Sequence, residues 1–164
     1  NSLFDWQTLS AQVISGDPSS FSRSLVVGCG SNEGIEERMP VLSPSGGLIG
    51  MVWEVYPEKS RVLLISDLNS FISGKIQRTG ELGIIKGDGE NGCFMEQLLK
   101  ETTMQAGDVV VTSGEGGIYP PGLLVGKITE VYSRGSLHLR ADIALQADIT
   151  DLSFVLILIG RAGE

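Results

Sequence analysis

Nine residues, Leu48-Ile49-Gly50-Met51-Val52-Trp53-Glu54-Val55-Tyr56, return later in the chain as Leu124-Val125-Gly126-Lys127-Ile128-Thr129-Glu130-Val131-Tyr132. Five of the nine positions are identical. The upstream context repeats too: Ile35 to Ser43 parallels Met104 to Thr112, each a turn followed by a short apolar run. Two copies imply two similar β-units. In a strand, residues i and i+2 share a face. Gly50, Val52, Glu54 and Tyr56 are therefore expected on one side, with Ile49, Met51, Trp53 and Val55 on the other. A mid-strand glycine marks a bulge or the close approach of another backbone.

The rest of the chain follows the same grammar. Short runs rich in Val, Ile and Leu alternate with turn clusters, and 22 glycines punctuate them. Strands are predicted over 9–14, 24–27, 40–42, 48–55, 61–65, 71–76, 82–86, 109–112, 124–131, 137–142 and 154–159. Many short strands at this spacing suggest a barrel or a sandwich. The expected division is an N-terminal segment and first strand over 1–23, a first β-unit over 24–76 and a second over 77–164. Exchange of strands between the units is left open within 77–108.

The formal net charge of −8 repels phosphate backbones, so nucleic acid is not an expected partner. No apolar run approaches the ~20 residues that cross a bilayer as a helix. The chain opens at Asn1 without a signal-peptide pattern, and it reads as a piece of a longer protein whose anchor lies elsewhere. Cys29 and Cys93 have no metal-ligand spacing, and a single bridge between them is one alternative.

Several motifs invite a catalytic or cofactor reading. Gly87-Asp88-Gly89-Glu90-Asn91-Gly92 is a literal GxGxxG between a strand and a segment, Cys93 to Lys100, that has helical character. Two carboxylates inside a phosphate cradle oppose the anion attraction it needs, and no second crossover follows, so a hairpin loop is expected. Gly28 to Gly34 is followed too soon by Pro40 for a crossover helix, and it reads as a turn. The single histidine, His138, with Ser113 and Glu115 lacks a nucleophile elbow. Asp142, Asp148 and Asp151 lack the spacing of a calcium loop. The chain is therefore expected to be no enzyme, with no catalytic, metal or cofactor residues.

What remains is contact. Tyr119-Pro120-Pro121 is an apolar group within a loop, and loops on rigid β-scaffolds carry function. Its two readings are a partner contact and a ring packed on its own unit. On the contact reading, Tyr119→Ala weakens binding and leaves the thermal midpoint nearly unchanged. Phe154 opens the final strand, and exposed strand edges offer unpaired backbone groups to partners.

A collinear set of motifs resembles the family of the bacterial rod shape-determining protein MreC. Gly107-Asp108-Val109-Val110-Val111-Thr112-Ser113-Gly114-Glu115-Gly116-Gly117-Ile118-Tyr119-Pro120-Pro121-Gly122-Leu123-Leu124-Val125-Gly126 is similar to its GD-x-VVTSG-x-GG-x-(F/Y)P-x-GL-x-VG signature. Gly30 to Ile35, Met39-Pro40-Val41, Gly47 to Val52 and Val62 to Ser70 are similar to further family stretches. Together they span about residues 11 to 159. Arg38 stands where the family favours glycine, and that turn is expected to differ in backbone conformation.

The resemblance implies a pair of small β-barrels with the shape of chymotrypsin-like proteases and no protease triad. It implies a cell-envelope protein on the outer face of the membrane, anchored by a transmembrane helix not in this chain. It makes Cys93 to Leu99 a strand. It implies a scaffold of cell elongation with a class B penicillin-binding transpeptidase, RodA, MreD and, indirectly or through the missing N-terminus, MreB as partners. Self-association is also implied. Tyr119, Pro120, Pro121 and Phe154 are the candidate contact residues. The rival functions are a degenerate protease-like hydrolase and a module that binds cell-wall glycan.

Overall fold

The computed structural model describes residues 6–16, 23–97, 103–133 and 138–161. The described residues form twelve strands: β1 (Trp6–Gly16), β2 (Ser24–Val27), β3 (Pro40–Leu42), β4 (Leu48–Val55), β5 (Ser60–Leu64), β6 (Phe71–Ile76), β7 (Leu82–Gly87), β8 (Cys93–Gln97), β9 (Val109–Thr112), β10 (Leu124–Ser133), β11 (Leu139–Leu145) and β12 (Phe154–Arg161). All strand pairings are antiparallel, and the strands close into two six-stranded barrels. The first runs β1-β12-β3-β4-β5-β2 and the second β10-β11-β8-β7-β6-β9. Cys93 to Gln97 is a strand, as the family likeness implies, and 88–92 is the hairpin loop before it, with the Asp88 carboxylate accepting the Glu90 and Gly92 amides at 2.7 and 3.1 Å.

The strand partners cut the chain differently from the division at 76/77. β1 belongs to the first barrel, β6 opens the second, and β12 returns to close the first. The second barrel is thus an insertion between β5 and β12. Sequence runs show where strands are, but a partner is chosen by long-range pairing, and β12 can pair β1 and β3 only after the whole second barrel has been made. The exchanged strand is therefore the last one and not a segment within 77–108. Closure also replaces the expected sheet edges: β12 pairs β1 on one side and β3 on the other.

The duplication is exact enough to map bond by bond. β12 bridges β1 and β3 as β6 bridges β7 and β9. Gly50 pairs Val41 and Leu64, and Gly126 pairs Val110 and Leu145. The amide of Arg38 donates to the Val52 carbonyl at 2.8 Å, and that of Gly107 donates to Ile128 at 2.8 Å. Ile65 donates to Ile49 at 2.7 Å and Gln146 to Val125 at 2.9 Å. The repeated strand carries the same bulge in both copies, between Val52 and Glu54 and between Ile128 and Glu130. That bulge breaks the alternation expected for β4. Val52 is buried, Val55 packs against the core, and Trp53, Glu54 and Tyr56 all face outward.

Two apolar clusters hold the molecule. One fills the first barrel around Val27, Val41, Ile49, Val52, Val62 and Val155, and it also takes in Ala147 and Ile149 from the segment that follows β11. The other fills the second barrel and extends into the first through Leu42, Leu48, Ile65 and Leu158. A bridge between Gly47 and Leu124 joins the two barrels directly. Removing this much apolar surface from water makes the pair one packed body, not two beads on a linker. Cys29 and Cys93 lie in different clusters as buried free thiols, so no bridge links them. Arg38 adopts φ of 73°, and its counterpart Gly107 has 93°. The turn therefore keeps the glycine-like conformation that the substitution was expected to change.

Candidate interaction surfaces

On the second barrel, β6 and β7 bury Ile72, Ile76 and Ile85 and send their alternate residues outward. Phe71, Leu82 and Ile84 are 61%, 47% and 42% exposed and group together on the outer face of the paired strands β6 and β7, as an apolar contact patch does. Register places Phe71 opposite Lys86, Lys75 opposite Leu82, and Ile84 between Ser73 and Glu96. Polar groups frame the apolar stripe. Lys86 pairs with Glu96 at 2.7 Å and lies 5.8 Å from the Phe71 ring centroid. Arg140 stacks over the half-buried Phe94 at 3.8 Å and bonds Asp142 at 3.1 Å.

A groove of about 280 Å³ runs beside this stripe, walled by Leu82, Ile84, Ser113 and Glu115. The loop that starts at Ser113 is tied to β6, its Ser113 amide donating to the Ser73 carbonyl at 2.9 Å. Gln97, 3% exposed, also lines the groove; its Nε2 donates to the Leu82 carbonyl at 2.7 Å while its Oε1 has no hydrogen-bond partner among the described residues.

The predicted contact residues divide. Tyr119 is only 8% exposed and belongs to the core cluster with Leu123 and Val125, and burial pushes its phenol pKa well above the ordinary value. Pro120 is buried as well, because the Thr112 hydroxyl donates to its carbonyl at 2.6 Å and accepts the Leu123 amide at 2.9 Å. These bonds draw the loop inward, so the ring serves packing and not a free contact. Pro121 and Ile118 remain exposed at the loop surface, and Phe154 is 43% exposed at the start of β12. The stripe of Phe71, Leu82 and Ile84 was missed, although its alternation with buried isoleucines is visible in the sequence.

The residues weighed for catalysis do not converge. Ser113 follows β9 at the end of the second barrel where β10 begins, and His138 precedes β11 where β10 ends. The length of β10, roughly 30 Å at ~3.3 Å per residue, separates them. The Ser113 hydroxyl accepts the Glu115 amide at 3.1 Å. Asp142 is engaged by Tyr132 at 2.6 Å and by Arg140, and Asp148 accepts the Thr150 hydroxyl at 2.6 Å. The Tyr132 hydroxyl also lies 3.1 Å from Glu130 Oε1, and its bonds to Asp142, the larger cause, and to Glu130 push the phenol pKa up to about 12. Among the described residues no three His, Cys, Asp or Glu side chains gather as a metal site.

Two closed barrels, the sequence of one inserted between strands of the other, define a double-barrel β-module. The chain belongs to the MreC family: the family model described as rod shape-determining protein MreC, barrel core, matches residues 13–159. The cell shape-determining protein MreC of Listeria monocytogenes is 34% identical over 164 residues, covering 96% of this chain and 55% of that protein. The chain thus spans about half the length of the curated relatives it matches. A solved structure of the Listeria monocytogenes protein superposes with a TM-score of 0.86 at 33% identity, covering 98% of this chain and 78% of that one. A chain in the complex between penicillin-binding protein PBP2 and MreC from Helicobacter pylori has the same fold, with a TM-score of 0.72 at 17% identity, covering 93% and 98%.

Proposed function

We propose that this chain is the barrel region of a non-enzymatic scaffold for bacterial cell elongation, one that holds peptidoglycan-synthesis enzymes at the outer face of the membrane. The observation that carries the reading is the exposed stripe of Phe71, Leu82 and Ile84 on the second barrel. An apolar strip framed by charged groups suits a protein partner, since aromatic and aliphatic anchors supply most binding energy while a polar rim excludes water. The Helicobacter pylori complex with penicillin-binding protein PBP2 supports a penicillin-binding protein as a partner, and its class B transpeptidase identity rests on the family likeness. RodA, MreD, an indirect link to MreB, and self-association rest on the family likeness alone.

The test is binding of this chain to a class B transpeptidase from the same cell, measured by surface immobilisation. The pair Leu82→Glu and Ile84→Glu is expected to weaken binding by about tenfold or more with an unchanged unfolding midpoint. Equal affinity of the variant and the parent overturns the assignment of this face. The hydrolase rival is tested with Ser113→Ala and His138→Ala on a panel of peptides and esters. Turnover abolished by either change overturns the scaffold reading.

A further inference from the structure

The geometry points to a second binding site, on the first barrel: a groove for a linear glycan that carries carboxylate groups. The internal repeat supplies the argument. The bulges in β4 and β10 share register and bonds, yet one carries Trp53 and the other Thr129. The fold therefore does not need the indole, which is 46% exposed. A bulge re-aims its side chain, and here it turns the largest side chain type outward.

What surrounds the ring is sugar-binding chemistry. Trp53 walls a groove of about 330 Å³ together with Glu54, Arg61, Asp67 and Asn69. Arg61 also walls an adjoining groove of about 280 Å³ with Tyr56 and Lys59. Two aromatic faces, three residues apart and roughly 10 Å along the strand, thus flank one guanidinium. Flat rings pack against the C–H faces of pyranoses, while planar polar groups meet the hydroxyls. The polar groups are held in place: Arg61 Nε bonds Glu54 at 2.9 Å, and its Nη1 bonds the Ser24 hydroxyl at 3.3 Å. The Lys59 ammonium sits 5.7 Å from the Tyr56 ring. Among the described residues the Tyr56 groove is lined by Lys59 and Arg61 and by no acidic residue, so that end favours an anionic group, whereas Glu54 and Asp67 at the Trp53 end suit hydroxyls. The only aliphatic side chain from β5 in the Trp53 groove, Leu63, is 6% exposed, whereas the aliphatic stripe suited to a protein lies on the other barrel.

The site stands independently of the transpeptidase contact. Its probes are amidase-treated peptidoglycan glycan strands, which bear free lactyl carboxylates, and neutral chitotetraose. Binding to the whole chain is read by tryptophan fluorescence and calorimetry. The glycan strands are expected to bind about tenfold more tightly than chitotetraose. Trp53→Thr, which installs the residue found at the equivalent bulge, is expected to weaken strand binding by about tenfold or more with an unchanged unfolding midpoint. Lys59→Gln is expected to remove the preference for the charged glycan. No saturable binding at millimolar sugar, or binding unaffected by Trp53→Thr, overturns the site. Equal affinity for the two glycans overturns the carboxylate assignment. Loss of transpeptidase capture in Trp53→Thr without any sugar binding overturns it in favour of a protein contact.

Discussion

Gly50 and Gly126 hold one and the same position in the two barrels, each pressed against the backbone of the neighbouring strand. A Cβ on Gly50 would stand 2.0 Å from the Leu63 carbonyl oxygen, and one on Gly126 would stand 2.1 Å from that of Ala144. Backbone cannot swing away as a flexible side chain can, so even alanine forces two strands apart. Gly50→Ala and Gly126→Ala are each expected to cost about 3 kcal/mol, judged by overpacking in rigid cores. Urea unfolding checks this, and unequal losses would show that the two barrels are not mechanically equivalent.

Arg38 and Gly107 offer the complementary experiment. Both sit at the turn before the short strand that meets the repeat, and both have positive φ. A side chain in that left-handed region costs about 1–2 kcal/mol, partly offset because a glycine leaves the unfolded chain freer. Arg38→Gly is therefore expected to stabilise the chain by about 1 kcal/mol, and Gly107→Ala to destabilise it by about the same amount. A thermal midpoint that falls in Arg38→Gly would mean that the arginine side chain makes compensating contacts.

The glycines were legible in the sequence because they are the positions where two strands demand the same backbone. Family likeness added the closed barrels and turned Cys93 to Gln97 into a strand. Three things were not legible. The bulge at Trp53 inserts one residue, and a period-two reading has no means of locating it, so the expected faces of β4 were misassigned beyond Val52. The return of β12 to the first barrel depends on partners more than a hundred residues away, among them Val41 and Leu42. The inward turn of Tyr119 is set by the Thr112 hydroxyl, whose bonds to Pro120 and Leu123 no composition reveals.

That inward turn reverses the expected phenotype of Tyr119. A ring in the core of the second barrel leaves a cavity when removed, and Tyr119→Ala is expected to cost about 3–5 kcal/mol. Tyr119→Phe keeps the ring and is expected to hold stability within about 1 kcal/mol. Paired urea titrations of the two variants decide it. A Tyr119→Ala protein as stable as the parent would return the ring to the contact surface.

Asp108 gives the fold an acid limit. Its buried carboxylate takes the Arg78 Nε at 2.7 Å and the Nη2 at 3.0 Å, along with the Gln105 amide at 2.9 Å. The Arg78 bonds come first among the causes that hold its pKa below the usual carboxylate value, with the backbone bond adding to them and burial opposing. A folded pKa below the unfolded value means that the group contributes its full stability above about pH 4, near the ordinary aspartate value. The contribution is lost as pH falls through the lower folded value. Asp108→Asn is therefore expected to lower the unfolding midpoint by several degrees at pH 7, with the gap to the parent closing below about pH 4. Thermal melts of both proteins across that range measure it. A gap that stays constant into acid would assign the loss to side-chain packing, because only a titrating carboxylate makes the difference between the two proteins depend on pH.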